Sequence, residues 1–252
     1  MGGLGLGPLL AGLLAQYAPH PTTLVFEIYL AVVAAAGLCL LFLPETVPSR
    51  RRPTLRFVGL GVPEPGRGQF IAAAVAGFAA FALLGLFSSL VPGFVGGVLH
   101  ETSHAVEGAV AFAIFAVGTG TQVALARFDS RRVVLAGLGL FLAALGLIVA
   151  ALNQASIALF LAGTVVGGVA VGAIFLASLG TANRLAPPER RGHVISAFFV
   201  ACYAGLVIPV VGVGVLSGFT GTFHAVLAFS LLLAALCLFS LARTWAAART
   251  VQ

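Results

Sequence analysis

Lysine is absent from this chain, and charge of either sign is scarce. Only 8% of its 252 residues are charged, against roughly 25% in an average soluble domain. Too few polar side chains remain to cover a water-facing surface, which excludes a soluble globular domain and makes lipid the solvent. Cysteine is nearly absent too. Cys39, Cys202 and Cys237 lie far apart inside apolar runs and form no CxxC pair, so they are expected to be small buried hydrophobes that report nothing about redox compartment. The N-terminus has no basic n-region, and its apolar run passes straight into further ones, so no cleavable signal peptide is expected. No acidic residue sits at the centre of any apolar run.

What is present is apolar: 60% of the residues are hydrophobic. A spanning helix needs about 20 largely apolar residues. Eight segments qualify or nearly qualify: 2–17, 22–43, 69–98, 104–126, 133–152, 156–182, 194–218 and 223–243. The fold class is therefore all-α, a polytopic membrane protein with about eight transmembrane helices. The first segment would rise only about 24 Å against a hydrocarbon core of about 30 Å. Met1 is thus expected to fall within a helix, as in a fragment or a chain whose start was assigned too late.

All 13 basic residues are arginine, and the net charge is +6. On a soluble protein this would suggest nucleic acid; here the positions point to topology, and no nucleic-acid partner is expected. Arg50, Arg51, Arg52, Arg56 and Arg67 lie between the second and third segments. Arg127, Arg131 and Arg132 follow the fourth, and Arg184, Arg190 and Arg191 the sixth. Arg243 and Arg249 close the chain. With eight alternating helices every arginine falls on one face, and the loops near 18–21, 99–103, 153–155 and 219–222 carry none. The positive-inside rule makes that face cytoplasmic, with both termini on it. A plasma (inner) membrane location is expected.

The proline-rich, charged stretch 44–68 reads as a cytoplasmic linker between residues 1–43 and a six-helix bundle over 69–252. The two parts echo each other weakly. Pro8 and Pro209 correspond at an offset of 201, and Cys39 and Cys237 at 198. If the echo is a true repeat, residues 1–43 end one six-helix unit whose first four helices lie upstream.

In the first segment Gly3, Gly7, Pro8, Ala11 and Gly12 give small residues at four-residue steps, a flat face that another helix can approach. Pro8 removes one backbone hydrogen bond and allows a bend. This stretch resembles the antiporter motif in the fifth helix of the drug/proton branches of the major facilitator superfamily, with Ala11 standing for the first glycine of its closing pair. Leu43-Pro44-Glu45-Thr46 resembles that family's exit from its sixth helix. The turn from Ala126 to Arg132, with Asp129, Arg131 and Arg132, resembles a degenerate copy of its cytoplasmic loop motif without the glycines. The resemblance covers the whole chain as helices five to twelve. It implies two bundles that rock about a central cavity, with substrate bound near the bilayer midplane.

Other features compete for function. His100-Glu101-Thr102-Ser103-His104 is a literal HExxH, which on a helix can bind zinc with the glutamate as general base. Here Thr102 or Ser103 is expected to cap the next helix and interrupt the motif. A membrane metalloprotease is the remote reading, and neither enzyme activity nor a metal or other cofactor is expected. Polar groups at membrane depth are costly and often functional. Glu27 and Glu107 are the candidates for proton coupling, with plain wetting at the membrane interface as the alternative. Thr164 and Ser178 are expected to bond to their own or a neighbouring helix. Gly163, Gly167, Gly168 and Gly172 lack the preceding strand of a phosphate loop and read as close helix packing. His193, beside Arg190 and Arg191, reads as a solvated loop residue.

The resemblance implies a secondary active transporter, proton-coupled and exporting small apolar or weakly polar molecules, the direction resting on the Gly7-Pro8 motif. Its substrate contacts are expected at Phe87, Ser88, Ser89, Gln122, Phe198, Phe199 and Tyr203, and its partners are the bilayer, a small-molecule substrate and protons. A non-transporting membrane fragment or helical partner is the alternative, because these residues alone are expected not to transport.

Overall fold

The computed structural model describes residues 1–44, 61–62, 66–98 and 103–249. Among these residues it contains eight α-helices, one 3-10 turn and no strand: α1 (Gly2–Tyr17), α2 (Pro21–Leu41), α3 (Arg67–Val98), α4 (His104–Leu125), α5 (Ser130–Gln154), α6 (Ile157–Leu185), α7 (Arg191–Thr220) and α8 (Thr222–Arg249). Each coincides with one expected segment. Seven are long and apolar enough to cross a membrane, so the chain has the architecture of a multi-pass helical membrane protein. The eighth, α1, has 16 residues. Several helices outrun their apolar spans: α5 begins at Ser130 and α8 runs to Arg249. Helical hydrogen bonding does not stop where hydrocarbon does, and the extra turns carry polar residues toward water.

Local signals explain the connections. Asp129 caps α5, its Oδ2 accepting from the Arg132 backbone N–H at 3.1 Å, and Ser156 caps α6 by accepting from Leu159 N–H at 3.4 Å. Between them Ala155 takes a left-handed conformation (φ 49°), which turns α5 straight into α6. Gly221, at φ 82°, makes the same kind of tight corner between α7 and α8. α4 starts at His104, after Ser103 as expected, but without the side-chain cap. Ser103 occupies the N-cap without a side-chain bond, and Thr102 lies outside the described residues. The orphan N–H of His104 instead donates to Gln16 Oε1 on α1, at 3.0 Å, so a neighbouring helix does the capping.

The helices alternate in direction, and α3 and α6 form the centre. α3 packs on α4, α6, α7 and α8, while α5 packs on α6 and α8. Phe87, Phe141, Leu86, Ile114, Leu138, Ile148 and Ile174 are enclosed between them. α1 packs on α4, and α2 packs on α1 with no buried residue of its own. Cys39, expected to be buried, is therefore exposed on α2, whereas Cys202 and Cys237 are buried. The linker's described end lies against the six-helix body: Gly61 beside His193 and Gly66 (φ 111°) beside Leu185. Its prolines 48, 53, 63 and 65, Glu45, Thr46 and the arginines 50, 51, 52 and 56 lie outside the described residues.

Glycine sets the closest contacts. A Cβ on Gly12 would meet the His104 carbonyl and the α-carbon of Gly108, and one on Gly108 would lie 2.6 Å from the Pro8 carbonyl. Gly172 faces the Gly118 carbonyl across α4 and α6, and Gly168 would meet the Ile114 carbonyl at 2.9 Å. The Gly163–Gly172 stripe is therefore a packing surface, with Gly163 against Ile148 of α5 and its far end against α4. In α1 the packing face differs from the expected one. Gly3 and Gly7 face open space, and Gly5, against Phe115, joins Gly12 on the α4 side. Steps of four residues drift about 40° per step around a helix, whereas a step of seven returns to within about 20°.

Gly12→Leu and Gly108→Leu are each expected to destabilise the protein by about 1–3 kcal/mol through overpacking. Gly3→Leu and Gly7→Leu are expected to stay within about 0.5 kcal/mol. The check is the melting midpoint of the purified chain in detergent; an equal loss at all four positions would refute this packing.

Candidate functional site

The sequence of α7 puts Phe198 and Cys202 one turn apart on one side, and Phe199 and Tyr203 one turn apart on the adjacent side. Gly77 of α3 lets the first pair in. A Cβ there would lie 2.9 Å from both Cys202 Sγ and the Phe198 ring. Phe81, one turn along α3, and Phe175 of α6 complete a cluster of five rings. Phe81 meets Phe175 at 5.5 Å and Tyr203 edge-on at 6.0 Å. Phe175 meets Phe198 and Phe199 at 6.1 Å each, Phe198 meets Phe199 at 5.9 Å, and Phe199 stacks on Tyr203 at 6.1 Å. These are the tilted and offset geometries that aromatic quadrupoles favour.

The cluster is graded. Phe81 and Phe198 are buried, Phe199 is half-buried, and Tyr203 is 50% exposed. It therefore ends in an aromatic surface at mid-helix on α7, able to stack an apolar or cationic molecule and, through the Tyr203 hydroxyl, to make one directed hydrogen bond. Phe198, Phe199 and Tyr203 are three of the contacts expected from the sequence, and they fall in this cluster. Phe81 and Phe175 were not expected, because nothing local distinguishes them from the chain's other phenylalanines; only the crossing of α3, α6 and α7 selects them.

The remaining expected contacts lie elsewhere. Phe87 is fully buried and stacks at 5.0 Å on Phe160, which also stacks on Phe94 at 4.4 Å; in this conformation its ring offers no surface to a substrate. Ser89 Oγ donates to the Leu86 carbonyl at 2.8 Å, Gln122 Nε2 to Gly118 at 3.4 Å and Thr164 Oγ1 to Phe160 at 2.8 Å, each within its own helix. Ser178 breaks that pattern: its buried Oγ has no partner.

Ser88 and Glu107 share a second site. They line a cavity of about 330 Å³ between α1, α3 and α4, together with Pro8, Gly12 and His104. Glu107 Oε2 lies 3.3 Å from His104 Nδ1. A carboxylate and an imidazole in contact can hold and pass one proton. Glu27, the other candidate, is exposed on α2 and reaches neither site. Of the HExxH motif, His100 and Glu101 lie outside the described residues, and His104 is the first residue of α4. No three metal-ligating side chains converge among the described residues. Asp129 serves as a helix cap and Arg132 is exposed, while Arg131 faces a third cavity at the arginine end.

Phe87→Ala is expected to cost about 3–5 kcal/mol, the range for an enclosed phenyl ring. Tyr203→Ala, which removes a half-exposed ring, is expected to cost less than about 1 kcal/mol. Thermal unfolding of the two variants side by side checks the grading; a larger loss at Tyr203 would contradict it.

Compared with known proteins, the chain matches no family model, no curated protein and no solved structure.

Proposed function

We propose that the chain is a secondary active transporter of the major facilitator type, its helices corresponding to that family's helices five to twelve. It moves small apolar or weakly polar molecules outward in exchange for protons. The observation that carries this reading is the aromatic surface built from α3, α6 and α7, open at Tyr203 near the middle of α7, in a bundle whose helices touch through glycine. Such contacts present smooth backbone surfaces rather than interlocked side chains, which suits rocking between two arrangements. The cavity holding Glu107 and His104 lies on the opposite half from the arginines and supplies a proton-binding pair. The arginine end is assigned to the cytoplasm of the plasma (inner) membrane, both termini included, on the positive-inside rule.

The second reading, a helical partner without transport of its own, draws on α2. That helix has no buried residue and is free to pack against further helices, whichever chain supplies them.

The experiment is dye efflux from inverted vesicles under an imposed proton gradient. It is run with these residues alone and with the whole genomic reading frame. The chain alone is expected not to transport. The whole frame is expected to transport, with the rate falling about tenfold in Tyr203→Ala, the loss of one good contact, and gradient dependence disappearing in Glu107→Gln. Efflux that ignores both substitutions would sink the assignment of these sites, and vectorial efflux by the chain alone would overturn the need for further helices.

A further inference from the structure

The arginine end holds a cavity of about 370 Å³ enclosed by α3, α5, α6 and α8, distinct from the aromatic surface and from the Glu107 site. Arg131, Arg184 and Arg243, all exposed at its mouth, are among its lining residues, the Arg243 guanidinium also lying 5.9 Å over the Phe239 ring, and no acidic residue among the described residues lines it. Three like charges around one cavity repel one another, and carboxylates would ordinarily be drawn in. Among the described residues no carboxylate lies within salt-bridge distance of any arginine, and the neighbouring Asp129 is committed to capping its own helix. Arg184 is already held in place, its Nη1 donating to Ser130 Oγ and its Nη2 to Thr181 Oγ1, each at 3.1 Å. Those bonds leave donors on the same fork available to a ligand.

Two further features favour an anion. The first turns of α3 and α5, at Gln69 and Ser130, border the cavity, so two helix N-termini lie at its edge, that of α5 partly satisfied by Asp129. Deeper in, Ser178 lines the same cavity two turns below Arg184. It is 1% exposed, and its hydroxyl has no partner. A buried hydroxyl without a hydrogen bond costs about 1–3 kcal/mol. Neighbouring Ser240, equally buried, satisfies itself on the Ala72 carbonyl at 2.8 Å, so the depth of the cavity does not prevent pairing.

We propose that this cavity is a binding site for a phosphate-type oxyanion. The guanidinium groups of Arg131, Arg184 and Arg243 neutralise it, and Ser178 donates a hydrogen bond at its inner end. The planar fork of arginine matches a tetrahedral oxyanion bidentately. At the membrane surface the oxyanion has two sources, a free phosphate compound or the head group of an acidic lipid, and both present the same chemistry. This site does not depend on the transport reading.

The test uses the full chain purified in detergent and in nanodiscs. Equilibrium dialysis against radiolabelled inorganic phosphate measures the free source. The shift in melting midpoint between phosphatidylcholine and mixed phosphatidylcholine/phosphatidylglycerol discs measures the lipid source. Saturable phosphate binding, one per chain, or a stabilising phosphatidylglycerol shift is the expected result, and which of the two occurs identifies the source. In Arg184→Gln and Arg243→Gln that signal is expected to weaken about tenfold, the loss of one charge-assisted hydrogen bond. Ser178→Ala is expected to weaken it less and, having lost an unpaired hydroxyl, to melt no lower than the parent. The paired control is Arg127→Gln with Arg132→Gln, two nearby exposed arginines outside the cavity. An equal loss in that control would reduce the signal to diffuse surface charge and overturn the proposal, as would the absence of both phosphate binding and a lipid shift in a chain that melts cooperatively.

Discussion

The contact between α-carbons where two helices cross is the interaction on which this structure depends. In lipid there is no water to expel from between apolar helices, so association rests on close packing and on interhelical polar bonds. Gly12 against Gly108 joins α1 to α4, and Gly118 against Gly168 and Gly172 joins α4 to α6. Gly205 admits the Phe78 carbonyl at the crossing of α3 and α7. Each omits a side chain so that two backbones can touch, and each fixes the neighbours of that crossing. The bond from His104 N–H to Gln16 is the polar counterpart, pinning α1 to the start of α4 where no local cap forms.

From those crossings the rest follows. Bringing α3, α6 and α7 together assembles five aromatic rings, three of them buried and one half outside. Bringing α1 and α4 together places half-buried Glu107 and exposed His104 beside Ser88. Bringing the ends of α3, α5, α6 and α8 together gathers three arginines with no carboxylate among the described residues that line their cavity. The molecule is thus divided along its length: a cationic, hydroxyl-lined end, an aromatic middle and, at the other end, one carboxylate–imidazole pair. That polarity matches the environments a membrane offers, with charge at the surface and aromatic or aliphatic surface within.

The number and order of helices were legible in the sequence because seven of the eight apolar runs are long and the breaks are marked by Pro, Gly, Asp129 or Ser156. The common end of the described arginines was legible for the same reason: counting alternations needs no contacts. The α1 packing face was not. Gly3 and Gly7 read as a motif, but rotation about the helix axis decides which glycines meet a partner, and Gly5 and Gly12 do. Phe87 and Phe198 look alike in the sequence, and each is enclosed; Phe198 borders an exposed surface only because Phe199 and Tyr203 follow it on a helix edge. Ser178 was expected to find a partner like Thr164. It does not, although it lies beside the cavity at the arginine end, while Thr164 bonds to Phe160 of its own helix.

By itself the sequence determined the solvent, the fold class, the succession of spans and the segregation of positive charge. These depend on composition and on runs of about 20 residues, which are local properties. Only the tertiary structure decided which side chains meet: the five-ring cluster, the Glu107–His104 pair, the capping of α4 by Gln16, and the three arginines around Ser178. Those depend on the rotation and crossing of helices whose apolar faces are nearly uniform. Where every face of a helix is apolar, the pattern of hydrophobicity carries no direction, and the small residues at the crossings supply it.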